Sequence, residues 1–335
     1  MGNTFARTFG ILAAAAALLA ATASYGHEAS TERRGAPSID EANLGYVVMD
    51  GSNTIAIVDI DAQEIVGRIP VAGNPHGGTL APDGRYLYAA SMGSTEIYVV
   101  DTRARAVTKT IDIGSISHHS AITADGRFLY LAADQVVVID TSTDRVVARV
   151  DAQGMPFDLS FTPDGRLLYV LNMGSTISVI DPATNKVVDS IELHAQTMMG
   201  HLAFSLDGQR LYVTHDVAGT VSVIDVPRNE KIATVKVGQG PHGVAVTHDG
   251  RYVYVANRGE GTFSVIDADT NAVIATKEVG ERPEHVALAP DGDYVFMGIN
   301  TGADRLLVID PDSFETIKEI PGWPAAHTLL FPPPT

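Results

Sequence analysis

An apolar run closed by aspartate recurs through this chain at Asp59, Asp101, Asp140, Asp181, Asp225, Asp267 and Asp310, at spacings of 42, 39, 41, 44, 42 and 43 residues. A second marker, Asp-Gly, keeps the same period at Asp83, Asp125, Asp164, Asp207, Asp249 and Asp291. One full copy reads from Gly240 to Asp267: an inner strand (Val244-Ala-Val246), the Asp-Gly turn, a Tyr-rich strand (Tyr252-Val-Tyr-Val255), a Gly-containing loop and the Ser-Val-Ile-Asp strand. An outer strand, Val273 to Val279, completes it. A period near forty built from strand-type runs and turn residues excludes a helical solenoid and predicts an all-β, seven-bladed β-propeller with four-stranded blades. Seven such units make one closed body, so residues 44–335 are expected to form a single domain.

The first unit, Leu44 to Val71, holds only three strands, whereas Ala326-His-Thr-Leu-Leu-Phe331 matches an inner strand and then stops at Pro332. The C-terminal strand is therefore expected to join the N-terminal blade and close the ring, which leaves no exposed sheet edge.

Ahead of the repeats, Arg7, the apolar stretch Phe9 to Ala21 and the small residues Ala21-Thr-Ala23 read as a signal peptide over residues 1–23. Residues 24–43 are polar, lack an apolar period and read as a flexible leader. The expected location is the periplasm or the medium, with no membrane insertion once the signal is removed, and a monomer. The chain has no cysteine, so disulfides, thiolate metal sites, a Cys nucleophile and covalent c-type haem attachment are excluded. With 23 basic against 40 acidic residues, it repels nucleic-acid phosphates and favours cations.

Two repeats, Tyr252-Val-Tyr-Val-Ala-Asn257 and Leu168-Tyr-Val-Leu-Asn172, resemble the YVTN-type propeller family, which is related in fold to the cytochrome d1 haem domain. The resemblance covers the mature chain. It implies the fold strongly and a function only weakly.

In a propeller the inner strands line the central channel, and the loops entering them sit at its mouth. The positions six and seven residues before each Asp-Gly aspartate hold His76, His118 with His119, Asp158, His201, His242 and His285, and His327 enters the last inner strand. Seven of the eleven histidines thus occupy equivalent slots. One meaning is structural: WD-type propellers place a Gly-His pair before the inner strand as an inter-strand latch, and Gly200-His201 is similar, although Trp323 is the only tryptophan and the Trp-Asp partner is missing. The other is a site, because the slots differ between blades.

Neutral imidazoles are the commonest ligands of zinc and copper, and a carboxylate such as Asp158 can complete the shell. Met92, Met155, Met173, Met198 and Met199 fall in loops of the same face, where thioethers would favour Cu(I), although methionine also fills gaps. These features predict an exported propeller that binds copper or zinc through His76, His118, His119, Asp158, His201, His242, His285 and His327, for storage or delivery, with another exported protein as partner. Two alternatives stay open. One is a protein-interaction scaffold with structural histidines. The other is a non-covalent haem binder or a metal-dependent lactonase or lyase, although no nucleophile elbow, phosphate loop or His-Glu-x-x-His occurs. His194, His215 and His248 fall outside the slots and read as solvated surface.

Overall fold

Each blade begins at the axis with a short strand and steps outward by antiparallel hairpins. A computed structural model of the chain describes residues 43–300, 304–323 and 326–332, all within one compact unit. The signal-peptide and leader readings lie outside these residues, apart from Asn43.

Seven sheets follow one another around a ring. Blade 2 is typical: Pro75–Leu80, Tyr86–Ser91, Glu96–Asp101 and Ala106–Asp112 pair in sequence order. Blade 3 runs from Ser120 to Val150, blade 5 from Leu202 to Lys236, blade 6 from Pro241 to Glu278 and blade 7 from Pro283 to Pro321. In blade 4 the two middle strands form one element, Leu168–Asp181, whose first part pairs with Met155–Phe161 and whose second pairs with Lys186–Thr197. Blade 1 is built from both ends of the repeat array. Ala326–Leu330 pairs antiparallel with Leu44–Met49, with Val47 opposite Leu329. The expected closure is therefore present.

Middle strands are buried on both faces because a neighbouring blade covers each side. Seven apolar clusters fill the seven gaps between blades. Val253, Val255 and Ile266 of blade 6 meet Tyr212, Val221 and Val223 of blade 5, for example. The cluster at the seam contains Val47, Val58 and Leu329 of blade 1, Phe296 and Val308 of blade 7, and fully buried Trp323. Each buried side chain of this size contributes roughly 1.5–3 kcal/mol, so the seam is fastened by the same apolar packing as the other six gaps.

The repeated aspartates belong to turns, as their positions suggest. Asp267 Oδ1 accepts from Thr270 N at 2.8 Å, and Asn271 in the same turn has φ 54°. Asp249 Oδ1 accepts from Arg251 N at 3.0 Å and from Thr247 Oγ1 at 2.6 Å, while Gly250 takes φ 73°. The Asn of the Tyr-Val-Ala-Asn motif is structural too: Asn257 Nδ2 and Asn172 Nδ2 each donate to a serine of the next strand, Ser264 and Ser178, at 2.9 Å. His215 occupies the same place in blade 5, where its Nε2 lies 2.8 Å from Ser222 Oγ. The surface reading of His215 is thus corrected. It is fully buried, and burial lowers its pKa to about 4.

Candidate metal centre

Tight approach of the inner strands is what brings the imidazoles together. His76 and His242 are each followed by glycine. A Cβ on Gly243 would lie 2.6 Å from Glu284 O and 2.7 Å from His285 Cα, and one on Gly77 would collide with His118 O. Register shifts at the starts of the inner strands of blades 2, 4, 6 and 7 then re-aim the side chains, the usual effect of a bulge beside a site.

The result is a packed ring of imidazoles from different blades. Ring centroids lie 4.8 Å apart for His119 and His201, 4.4 Å for His201 and His242, 4.4 Å for His201 and His285, and 4.4 Å for His285 and His327. His76 lies 3.8 Å from His327. Two ligand sets stand out among the described residues: His119, His201 and His285, and His242, His285 and His327, each with one nitrogen per residue within 4.8 Å of the others. His118 belongs to neither set and packs against Phe157, centroid to centroid 5.0 Å.

Hydrogen bonding fixes which edge of the His201, His242 and His327 rings is held by the protein. His242 Nδ1 lies 2.8 Å from Met199 O and His327 Nδ1 lies 3.2 Å from His76 O. A carbonyl only accepts, so Nδ1 carries the proton and Nε2 keeps the lone pair. His201 Nδ1 lies 3.0 Å from Asp158 Oδ2, and the same carboxylate accepts from Leu159 N and Leu202 N. Nε2 of His119, His201, His242 and His285 is buried without a hydrogen-bond partner. Ligating histidines use one nitrogen for the metal and anchor the other on a carboxylate or carbonyl in this way.

Electrostatics keep the rings neutral and so competent as ligands. Burial, reinforced by the neighbouring imidazoles, pushes His242, His285 and His327 well below the usual value; burial does the same to His119 against the pull of Asp158. His201 falls to about 3, again chiefly through burial. Burial pushes the Asp158 carboxyl up, while His119 and the amides of Leu202 and Leu159 pull it back.

Asp158 lies behind the rings: besides His201 it approaches His119 Nδ1 at 4.0 Å. Its geometry is that of a residue orienting two imidazoles, and it belongs to neither ligand set. Asp158→Asn is accordingly expected to weaken ion binding by about 10–100-fold while leaving stoichiometry intact at saturating metal. A competition titration against a chelator reads this directly, and an unchanged affinity would count against the orienting role.

Phe157 was not assigned to the site from the repeat pattern, and the structure gives Glu284 and Met199 their places. Phe157 takes the slot that holds histidine in other blades and packs against His118, His119 and His201. Glu284, 1% exposed, takes Arg258 Nε at 3.2 Å and Arg282 Nη2 at 3.1 Å on Oε1, while Oε2 lies 3.5 Å from His242 Nε2. Met199 acts through its carbonyl. Its side chain, like those of Met155 and Met198, is exposed, and its sulfur lies 4.0 Å from the Arg258 guanidinium.

Two family models match the chain, each over less than half of it. The cytochrome D1 heme domain covers residues 39–166. The seven-bladed β-propeller lactonase covers residues 176–309. Both point to a seven-bladed propeller family. No curated protein matches the chain. Among solved structures, Kuenenia stuttgartiensis hydrazine synthase superposes with a TM-score of 0.75 at 21% identity, covering 81% of this chain and 93% of that one. Dihydro-heme d1 dehydrogenase NirN, in complex with DHE, superposes with a TM-score of 0.69 at 21% identity, covering 87% and 75%. At such identity the likeness is one of fold.

The match of residues 39–166 to a heme-domain model raises the question of whether a macrocycle fits here. Rings 4.4 Å apart are in contact, so nothing as large as a tetrapyrrole enters between them. Such a group would have to rest over the mouth.

Proposed function

We propose that this propeller binds copper or zinc on its axis, through the Nε2 atoms of His119, His201, His242, His285 and His327, and that it stores or delivers the ion as an exported protein. The observation that carries this reading is the set of four buried Nε2 atoms without partners, on His119, His201, His242 and His285. A buried lone pair with no donor costs about 1–3 kcal/mol, and a cation held between several of them would remove that cost at all of them together. All-imidazole donors suit zinc and copper rather than magnesium or calcium, which take oxygen.

Titration of the metal-free full chain with copper(I) or zinc should give saturable binding, with X-ray absorption reporting nitrogen scatterers at about 2.0 Å. Absence of binding by either ion would end the proposal. A second reading, a non-covalent tetrapyrrole lying over the mouth, is favoured by the heme-domain match over residues 39–166. It requires a visible absorption band after haem is added, and the same sample tests it.

A further inference from the structure

The axis carries more imidazoles than one ion can use. The two ligand sets, His119 with His201 and His285, and His242 with His285 and His327, overlap only at His285. That ring is the hub: its centroid lies 5.7, 4.4, 5.1 and 4.4 Å from those of His119, His201, His242 and His327. An ion held by the first set would satisfy His119, His201 and His285. It would leave His242 Nε2 buried and bare, beside the bare Glu284 Oε2. The desolvation argument for a first ion therefore applies again to what remains.

Charge follows the same division. Each set has its own buried carboxylate. Asp158 lies 3.0 Å from His201 Nδ1 and 4.0 Å from His119 Nδ1, whereas Glu284 lies 3.5 Å from His242 Nε2. Asp158 is 8% exposed and Glu284 1%. Two buried cations side by side repel strongly unless anions sit next to them, and here one stands beside each set. Arg258 and Arg282 occupy only Oε1 of Glu284, which leaves Oε2 facing the second set.

We infer that the centre has two ion positions per chain, one at His119–His201 and one at His242–His327, with His285 between them; this rests on the metal-binding reading above. Each half is then two imidazoles with a carboxylate at hand, repeated on neighbouring sides of the axis. Because Arg258 and Arg282 already offset the charge of Glu284, ions of low charge, such as copper(I), are accommodated best.

The test is stoichiometry, measured by elemental analysis of the full chain loaded with copper(I) under anaerobic conditions and, in parallel, with zinc. The wild-type chain is expected to retain two ions of one of these metals. His242→Gln/His327→Gln and His119→Gln/His201→Gln are each expected to retain one, with thermal melts showing which variants are folded. Saturation of the wild type at one ion for both metals overturns the two-position inference and leaves the proposed function standing. Zero ions overturns both. A wild type holding two ions while both folded double variants also hold two would place the ions elsewhere and overturn the assignment.

Discussion

Replacing His285 by leucine is expected to abolish stoichiometric ion binding and, at the same time, to raise the melting temperature of the metal-free protein. The two effects have one cause. Nε2 of His285 is buried with no hydrogen-bond partner, so in the absence of an ion the ring imposes a desolvation penalty of about 1–3 kcal/mol. An apolar side chain of similar bulk removes that penalty, and in a chain of this size each kcal/mol moves the melting temperature by about 1–2 °C. Because His285 belongs to both ligand sets, its loss also takes a ligand from each position, and affinity should fall by more than the roughly 100-fold typical of an outer-shell change. Melts of the metal-free wild type and variant, paired with elemental analysis, read both signs. A latch would behave in the opposite way, with the variant melting lower and the metal content unaffected.

The second large effect is acid lability of the metal-free protein. His201 has its pKa lowered to about 3 and His215 to about 4, both from 6.5 and both chiefly by burial. Below pH 6.5 the unfolded chain takes up protons that these buried rings refuse, so the unfolded state binds more protons and stability falls as pH falls. At about 1.4 kcal/mol per unit, the two rings withhold up to roughly 5 and 3 kcal/mol by the time the pH reaches their folded values.

His119, His242, His285 and His327 shift in the same direction and steepen the loss. Asp158 and Glu284 act oppositely. Burial raises both, so the folded state holds their protons more tightly, and that contribution is present in acid and lost as pH rises through their folded values. Six rings outweigh two carboxyls. Urea unfolding midpoints should therefore fall steeply from pH 6.5 towards pH 4, and added metal should shift the curve because protons and ion compete for the same nitrogens. A flat profile between pH 7 and pH 5 would mean that the rings are protonated in the native state.

These two results bear on how the site is divided between packing and binding. Nδ1 of His242 and His327 each grips a main-chain carbonyl of an adjacent blade, Met199 O and His76 O, and Nδ1 of His201 grips Asp158. The latching edge and the edge free for a ligand are opposite sides of one ring, so under the proposed reading a repeated histidine would serve both roles.

Much of the architecture was legible in the chain because it is written several times. Repetition of the Asp-Gly turn and the Ile-Asp strand end sets blade number, blade order and the closing role of Ala326–Leu330, since each unit can bury its apolar faces only against copies of itself. The slot six or seven residues before the turn likewise marked six of the axial histidines, and alignment of the last inner strand marked His327. His215 was misjudged because its place at the end of the Tyr-rich strand is filled by asparagine in blades 4 and 6, and only the bond to Ser222 shows that imidazole can replace it.

Sequence alone determined the seven-bladed ring and which residues enter its mouth, because both follow from local turn chemistry and a fixed period. Tertiary structure alone decided that six of the seven imidazoles face one another, that the bare edges of His119, His201, His242 and His285 are their Nε2 edges, that Asp158 stands behind them and that Glu284 joins them. Those facts depend on backbone-to-backbone approach between strands some forty residues apart, closer than any Cβ would allow and made possible by Gly77 and Gly243. No pattern along the chain encodes an orientation that only the neighbouring blade imposes.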